Sequence, residues 1–212
     1  MRHIVATMDG DTSSSAALAP VTERGRRTRR KLLDAATLEF GDKGFHEASI
    51  SGITRRAGVA LGSFYTYFES KEAIFQALVR DFSEGVKDAA ASALQAGASA
   101  LDRERDALRA FLEFASINKE IYRIIDEAEF VDPPSYRAHY ETTAHRILDR
   151  LREGAASGEL DADVNEIHAW AIMGMNVFLG LRYAVWATEG DDPKAVPEVA
   201  KQILSSGIKR RP

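Results

Sequence analysis

Residues 44–72, GFHEASISGITRRAGVALGSFYTYFESKE, contain the pattern that decides the fold. Apolar Ile50 and Ile53 recur at helical spacing, and Gly58 follows where the chain can adopt the left-handed conformation that ends a helix. A second short helix is predicted directly after this turn, over residues 60–67. Two helices joined by a tight turn that contains glycine are typical of a helix-turn-helix, whose second helix can enter the major groove of DNA.

The flanking residues extend this pair to a small helical domain. Apolar spacing predicts a first helix over residues 28–40, and Gly44 separates it from the pair. Ser49 is a candidate N-cap of the second helix, and Ser70 is a candidate N-cap of a fourth. The helix at 60–67 is too short to be stable alone, so its neighbours must hold it in place.

The charge of this segment differs from that of the rest of the chain. Residues 21–80 contain eleven Lys and Arg against seven Asp and Glu, whereas the 212-residue chain has a formal net charge of −4. The remaining residues therefore carry −8. A basic segment joined to an acidic body indicates that only the N-terminal part meets a polyanion.

Arginines are concentrated just before the first predicted helix. The segment 23–31, ERGRRTRRK, has five Arg and one Lys in nine residues. In isolation such a run is equally well explained as a solvated charge cluster. Directly before a helix-turn-helix, we expect an arm that neutralises phosphates or reaches into a minor groove.

Several independent positions carry a family resemblance. They are the Ala57-Gly58-Val59 turn, Gly62, the aromatic group Phe64-Tyr65-x-Tyr67-Phe68 and the helix start Ser70-Lys71-Glu72. Over about residues 28–78 the chain resembles the DNA-binding domain of TetR-type transcriptional regulators. The resemblance implies an N-terminal helix-turn-helix domain followed by a helical body that dimerises through its last two helices and holds a small-molecule pocket.

The resemblance also implies which residues contact DNA. Small and apolar groups of the third helix would face base edges, whereas hydroxyl and cationic groups would donate to phosphates without reading sequence. The contacts that the resemblance implies are Ser49, Ser51, Ala60, Leu61, Ser63, Tyr65, Thr66, Tyr67 and Lys71. The basic arm adds Arg27, Arg29 and Arg30. The third helix has no Arg, Asn or Gln for a bidentate base contact, so shape and spacing would contribute much of the specificity.

Lys71 has a physical argument of its own. A cation in the first turn of a helix is disfavoured by the helix dipole, which suggests that a DNA phosphate lies there. The alternative is a solvent-exposed lysine compensated by Glu72.

Beyond residue 78 the apolar spacing stays helical and never alternates as in a strand. The fourth helix is predicted to continue to about Gly97. Further helices are predicted over residues 103–117, 119–128, 133–157, 165–189 and 195–206. The chain is therefore expected to be all-α.

Two sites are expected in this helical body. Asn176 is a polar group on an apolar helix, and nearby aromatic side chains suggest a soft, mainly apolar pocket, although the same residues are compatible with an ordinary core. The expected pocket residues are Phe111, Phe114, Ile121, Ile125, Tyr136, Tyr140, Trp170, Met173 and Asn176. The helix at 165–189 is apolar nearly all round, so a twofold partner would cover part of it. The expected interface residues are Val177, Leu181, Val185, Val196, Val199 and Ile203, with an intrachain core as the alternative.

Other functional classes find little support. The chain has no cysteine, which excludes disulfides and thiolate zinc sites and fits a reducing cytosol. Asp161-x-Asp163-x-Asn165 resembles the opening of a calcium loop but lacks its turn glycine and closing glutamate, so helix capping explains it better. We predict no metal, no cofactor and no catalytic residue. Asn176 and Arg182 interrupt the most apolar run, so we also predict a cytoplasmic protein without a membrane span.

These observations predict three parts: a disordered tail at 1–22, a helix-turn-helix domain with a basic arm at 23–78, and a helical effector-binding and dimerisation domain at 79–212. We expect a transcriptional regulator, most simply a repressor that binds a palindromic double-stranded DNA operator as a homodimer. A small, mainly apolar effector such as a lipophilic acid or acyl thioester would release it. An effector-independent DNA-binding protein or activator is the alternative, and an enzyme with a helical pocket is a more remote one.

Overall fold

The computed structural model describes residues 22–208, which form helices and no β-strand, as the all-α prediction requires. The α-helices are α1 (Glu23–Glu47), α2 (Ile50–Ala57), α3 (Leu61–Tyr65), α4 (Lys71–Ala93), α5 (Ala100–Ile117), α6 (Glu120–Val131), α7 (Pro133–Ala156), α8 (Glu166–Gly180) and α9 (Val196–Gly207). One π-helical turn, Leu181–Val185, continues α8. The predicted tail at 1–22 lies outside the described residues, apart from Thr22.

Helix α1 begins earlier than its apolar spacing indicates. The Thr22 hydroxyl accepts a hydrogen bond from the Gly25 amide (3.1 Å) and caps the helix. Glu23 in the first turn pairs with Arg26 and Arg27, an arrangement that favours helix at this end. The arginine run is therefore helical, and the prediction that the first helix starts at residue 28 is wrong by one and a half turns.

Three other helices end earlier than predicted. Helix α3 covers only Leu61–Tyr65, and α4 stops at Ala93, where Leu94 turns to extended backbone. Helix α8 is capped by Asn165, as the capping interpretation of the Asp-x-Asp-x-Asn segment requires, and its α-helical part ends at Gly180 instead of near 189. Among residues 22–208, no helix combines the length and apolar character needed to cross a bilayer.

The core of the first four helices continues into α6. Phe40, Phe64, Phe68 and Phe75 are almost fully buried in it, and edge-to-face contacts join Phe40 and Phe45 to Phe75. The α6 residues that share this core are Ile121, Ile124, Ile125 and Ala128. The helix-turn-helix thus rests on α6, a part of the body. The division proposed at 78/79 falls inside α4 and stays a prediction.

A buried carboxylate ties α1 to α2. Glu39 has no exposed surface, and it accepts hydrogen bonds from Lys43 Nζ (2.6 Å) and Arg56 Nε (2.7 Å). Arg56 also donates to Asp42 (2.7 Å). Burial opposes ionisation of Glu39, but the bonds from Lys43 and Arg56 outweigh it and hold the pKa of the carboxyl below its ordinary value. The Glu39–Arg56 ion pair thus fixes the orientation of α2 on α1.

The space around this carboxylate explains one glycine of α2. A Cβ added at Gly52 would overlap Glu39 Oε1, whereas a Cβ added at Gly62 in α3 would meet no atom within 4 Å. Neither glycine has a positive φ. Alanine at position 52 would therefore clash with Glu39, whereas alanine at position 62 would clash with no atom of the protein.

We predict opposite effects for these two substitutions. Gly52→Ala should lower the free energy of unfolding by about 1–3 kcal/mol because the methyl group displaces Glu39 from Arg56. Gly62→Ala should raise it by up to about 1 kcal/mol because alanine favours helix. Urea denaturation of both variants measures the difference, and equal effects would contradict the packing at Glu39.

Candidate nucleic-acid interface and internal cavity

Most of the residues predicted to read bases lie on the outer face of α3. Ala60, Leu61 and Thr66 are exposed, with Leu61 half accessible at 52%, and Ser63 is partly buried. The structure thus brings these four side chains to one solvent-facing surface, which we call the α3 face.

The two serines of α2 lie at its N-terminus. Ser49 is the N-cap, and its Oγ accepts from the Gly52 amide (3.0 Å). The hydroxyls of Ser49 and Ser51 are 3.2 Å apart and both residues are exposed. Ser49 therefore already satisfies an amide of its own helix, and one of the two hydroxyl protons is used in the bond between the serines, which leaves the other available to an external acceptor.

The two tyrosines predicted to hold phosphates differ in their setting. Tyr65 is 56% exposed, and its ring rests edge-on against Phe64 at 5.4 Å between centroids. Tyr67 is half-buried and packs against the N-terminal core. Neither hydroxyl bonds to a protein group within the described part of the chain. Rigid rings with accessible hydroxyl groups are suited to donate to phosphate oxygens.

The arginines of α1 are partly engaged by carboxylates of the protein. Arg27 pairs with Glu23 (3.2 Å), and Arg30 pairs with Asp34 and with Asp81 of α4, each at 2.7 Å. Arg29 instead lies over the Phe68 ring, 5.4 Å from its centroid. A cation on an aromatic face keeps its charge uncancelled. Arg29 is thus the least neutralised of the three predicted DNA contacts on α1.

Lys71 does not lie free on this surface. Its Nζ donates to the carbonyls of Phe45 (2.7 Å), His46 (3.2 Å) and Ala48 (3.0 Å), and it sits 4.5 Å from the centre of the Phe45 ring. An ammonium group has three donors, and all three point into the connection between α1 and α2. Backbone carbonyls of the protein therefore stabilise this cation at the helix N-terminus, and no DNA phosphate is needed to explain it. We remove Lys71 from the expected phosphate contacts.

Helix α6 holds the same connection from the other side. Glu127 Oε2 accepts from the Phe45 amide (2.6 Å), and Arg123 donates to the carbonyls of Gly41 (2.8 Å) and Asp42 (3.1 Å). Gly44 adopts a positive φ of 78° between these bonds, where a side chain would also strike Glu127. Residues 41–48 contain the kink of α1 at Gly44 and the last residues before α2, and we call them the α1–α2 connection. They are fixed by Lys71 of α4 and by Arg123 and Glu127 of α6.

Gly62 is a feature of the α3 face that residue-type reasoning did not assign. It is exposed, and its conformation and packing do not require glycine. A residue without a side chain lets a ligand backbone approach a helix closely. The signal available in the sequence was a helix-destabilising glycine inside an already short predicted helix.

A cavity of about 310 Å³ lies among α4, α5, α7 and α8. Apolar side chains dominate its wall, and the polar members are Lys87, Thr143, Arg146, Arg150 and Asn176. The apolar members are Val86, Ala90, Ala91, Leu94, Ala107, Phe111, Ile147, Met173 and Val177. A mostly apolar cavity of this size with a few polar groups has the character of a small-molecule site.

Three of the nine predicted pocket residues, Phe111, Met173 and Asn176, line this cavity. A second group, Ile121, Ile125 and Tyr140, lines a small adjoining space of about 30 Å³ together with Phe111. The remaining three lie elsewhere: Phe114 and Tyr136 pack against the N-terminal core, and Trp170 faces outward with its indole bonded to Glu166 (3.1 Å). Trp170 is therefore not part of the cavity.

Sequence reasoning missed the walls from α4 and α7. Lys87 and Leu94 lie on the alanine-rich end of α4, and Arg146 and Arg150 lie on α7. Thr143, Arg146 and Arg150 are spaced three and four residues apart, which places them on one helix face. That spacing was a usable signal, although charged side chains at such positions are more often solvated.

The predicted interface residues divide between core and surface. Val199 and Ile203 of α9 are exposed at 51% and 59%. Val196 is 8% exposed and packs in a core with Leu108, and Val177 lines the cavity, so the structure moves both away from the surface. Leu181 and Val185 are half-buried in the π-helical turn.

Helix α8 also leaves an apolar stripe exposed. Ile167 and Phe178 are 78% and 72% exposed, and Ala171 and Gly174 lie between them at helical spacing. A Cβ at Gly174 would meet nothing within 4 Å. The spacing 167, 171, 174, 178 is readable in the sequence, but it cannot show which face of an all-apolar helix is left uncovered.

We predict that Lys71 acts on stability. Lys71→Met should lower the free energy of unfolding by about 2 kcal/mol because it leaves the Phe45 and Ala48 carbonyls without their charged donor. Lys31→Met, an exposed lysine of α1, is the matched control and should change stability by less than about 0.5 kcal/mol. Chemical denaturation measures the stability of both variants. Equal stability would contradict the structural role of Lys71 and would leave it as a candidate phosphate contact.

Comparison with known proteins supports the assignment of the N-terminal part. Residues 32–78 match the tetR family of bacterial regulatory proteins. Over 64 residues, 30% of this chain, the sequence is 48% identical to the uncharacterized HTH-type transcriptional regulator YdgC of Bacillus subtilis, covering 33% of that protein. Over 123 residues, 58% of this chain, it is 30% identical to the HTH-type transcriptional activator FasR of Mycolicibacterium smegmatis, covering 56% of it. The matches thus span between a third and just over half of these relatives.

The structural likeness extends further along the chain. The fatty acid degradation regulator FadR from Bacillus halodurans superimposes with a TM-score of 0.73 at 19% identity, over 84% of this chain and 94% of FadR. At such identity the likeness establishes the fold. The match over residues 32–78 thus identifies the N-terminal part of the chain as a tetR-family domain, and over 84% of its length the chain has the fold of FadR.

Proposed function

We propose that the chain is a ligand-responsive transcriptional regulator, most simply a repressor. It binds a palindromic DNA operator as a homodimer through two α3 faces and leaves it when a small, mainly apolar effector occupies the internal cavity. A lipophilic acid or an acyl thioester is the class of effector that we propose. In this scheme the two α3 faces occupy consecutive major grooves about one helical turn apart.

One observation carries this proposal. Helix α4 runs without interruption from Lys71, which holds the α1–α2 connection, to Ala93, and its last turns form a wall of the cavity. At about 1.5 Å per residue, the rigid element joins two surfaces roughly 25–30 Å apart. A ligand that displaces one end of α4 must therefore alter the helix-turn-helix at the other, which gives the two sites a physical coupling.

The α3 face and its surroundings offer more groups that can contact phosphates than groups that can distinguish bases. Tyr65, Tyr67 and Arg29 offer donors for phosphates, whereas Leu61 and Thr66 can contact bases mainly through apolar surface and one hydroxyl. Gly62 lets the helix approach closely. We therefore propose that groove shape and the spacing of the two half-sites supply much of the specificity.

The proteins to which the chain is similar support a regulator over an enzyme. YdgC, FasR and FadR are all named as regulators. FadR is named for fatty acid degradation, which is consistent with an apolar effector. FasR is named an activator and matches 58% of this chain, so activation of transcription is the second candidate function.

The proposal predicts that the purified chain enriches specific DNA fragments from a random pool. Tyr65→Phe should weaken binding to every enriched fragment by about fivefold, because one hydrogen bond to a phosphate is lost without a change in sequence preference. Fluorescence anisotropy against the enriched fragment measures the affinity. Tyr183→Phe, a tyrosine of the body, is the matched control and should bind as the parent does.

Two outcomes would contradict parts of the proposal. Binding that is steeply salt-dependent but indifferent to sequence would favour an effector-independent architectural protein. Identical DNA affinity with and without every compound that binds the cavity would remove the ligand switch and leave the DNA-binding function standing.

The uncovered apolar surface supports the proposed homodimer. Ile167 and Phe178 of α8 and Val199 and Ile203 of α9 each expose half or more of their side chains. A twofold axis would place this stripe against its own copy, since an isologous interface uses the same patch on both subunits. The small residues Ala171 and Gly174 at its centre allow two helices to approach closely.

Phe178→Asp should therefore convert the dimer to a monomer, because each copy would bury an unpaired carboxylate in the interface. Sedimentation velocity should show the change, with helical content retained because Phe178 lies outside the core. Phe130→Asp is the matched control: Phe130 is 81% exposed on α6, away from this stripe. A dimer that survives Phe178→Asp, or is lost with Phe130→Asp, would contradict the proposed interface.

A further inference from the structure

The cationic side chains of the cavity wall differ in whether a carboxylate of the protein pairs with them. Arg150 forms two bonds to buried Glu104, Nε to Oε1 at 2.6 Å and Nη2 to Oε2 at 2.9 Å. Lys87 pairs with Glu84 at 2.8 Å. Arg150 is therefore neutralised by a buried carboxylate, whereas Lys87 has its carboxylate partner at the protein surface.

Arg146 is the exception among the cations of the wall. Within residues 22–208, no carboxylate lies within 4 Å of its guanidinium and no hydrogen bond from it is formed. Glu84 forms its ion pair with Lys87, at 2.8 Å, and not with Arg146. Arg146 is partly buried on α7 and contributes directly to the cavity wall.

Asn176 complements this cation from α8. Its side chain also lines the cavity and has no hydrogen-bond partner among the described residues. Thr143 already donates its hydroxyl proton to the His139 carbonyl (2.8 Å). The cavity therefore presents one uncompensated cation and one free amide within an otherwise apolar wall.

This imbalance selects among ligands. Any molecule that fills the cavity removes water from the Arg146 guanidinium, and removal of solvent from an unpaired charge is strongly unfavourable. A neutral ligand forms no ion pair with the guanidinium and therefore does not offset this cost. A carboxylate can accept two parallel charge-assisted hydrogen bonds from the Arg146 guanidinium, and the side-chain amide of Asn176 offers a further donor.

The volume limits the size of the ligand. A volume of about 310 Å³ lies at the lower end of the range of small-molecule pockets, which favours a small ligand. Phe111, Met173 and Leu94 provide apolar surface for a short chain or a ring. Resting on the proposed effector function, we infer that the effector is the anion of a free carboxylic acid of about this size, with its carboxylate on Arg146. A thioester is not favoured, because its neutral head would leave Arg146 unpaired.

Octanoate and octanamide test the inference, because they have the same size and shape and differ in charge. Titration calorimetry on the full chain should show octanoate binding at least about tenfold more tightly than octanamide. In Arg146→Gln this preference should fall to within about twofold, and in Arg146→Lys it should be partly retained. The S-methyl thioester of octanoic acid should follow octanamide.

Arg137→Gln is the matched control. Arg137 is an exposed arginine of the same helix, and its loss should leave the preference for octanoate unchanged. Thermal unfolding without ligand should be the same for Arg137→Gln and Arg146→Gln, because Arg146 makes no bond that folding needs. A folding defect is thereby separated from a binding defect.

Each result decides between the proposals. Equal or tighter binding of octanamide by the parent chain, or an unchanged preference in Arg146→Gln, would overturn the carboxylate site while leaving a neutral effector open. Failure of both compounds to bind would overturn the carboxylate site too. In either case the enrichment of DNA fragments is measured separately, so the DNA-binding function can stand when the inference fails.

Discussion

The continuous helix α4 is the constraint on which the rest of the structure depends. Its first half buries Ile74, Phe75 and Leu78 in the core of the helix-turn-helix, while its second half turns alanines toward the internal cavity. A 23-residue helix can be stable in both settings only if its two halves pack on different partners. The two halves of the protein are therefore linked by one rigid body, without a flexible linker between them.

Backbone polarity explains why the helix-turn-helix is held so firmly on this helix. The chain leaves α1 at Gly44, where the last carbonyls of a helix lack intrahelical donors. Lys71 supplies a cation at this C-terminal end, where the dipole favours one, and Glu127 accepts the free amide of Phe45. The same two side chains come from α4 and α6, so the segment that leads into α2 follows any movement of either helix.

The sequence predicted local features well and pairing poorly. Ser49, Ser70 and Gly58 behave as their residue types suggest, since caps and left-handed turns depend on a few neighbouring groups. The role of Lys71 could not be read, because its partners lie 23 to 26 residues earlier in the chain.

The same limit applies to the body. Helix periodicity placed apolar side chains at the correct spacing on α8, but Val177 lines the cavity whereas Phe178 faces solvent, and this difference depends on where α5 and α7 lie. Arg146 was invisible to sequence reasoning because its distinguishing property is the lack of a nearby carboxylate. Such a property exists only once every acidic side chain has been placed in space.

The walls of the cavity differ in how firmly they are fixed, and this decides which one yields to a ligand. Helix α7 is tied to α5 by the buried Glu104–Arg150 pair, which is costly to break. The last turns of α4 face the cavity with Ala90 and Ala91, and such small side chains bury little apolar surface.

Between this end of α4 and the helix-turn-helix, the Ser83 hydroxyl lies 2.7 Å from His139 Nδ1 of α7. Burial lowers the pKa of His139 to about 4, so the imidazole is neutral near pH 7 and the contact is an uncharged hydrogen bond. Position 83 lies about 10 Å from Ala90 and about 18 Å from Lys71 along the helix. A rigid α4 that pivots at this contact would convert an outward shift at the cavity into a larger, opposite shift at the α1–α2 connection, because the arm toward the helix-turn-helix is the longer one.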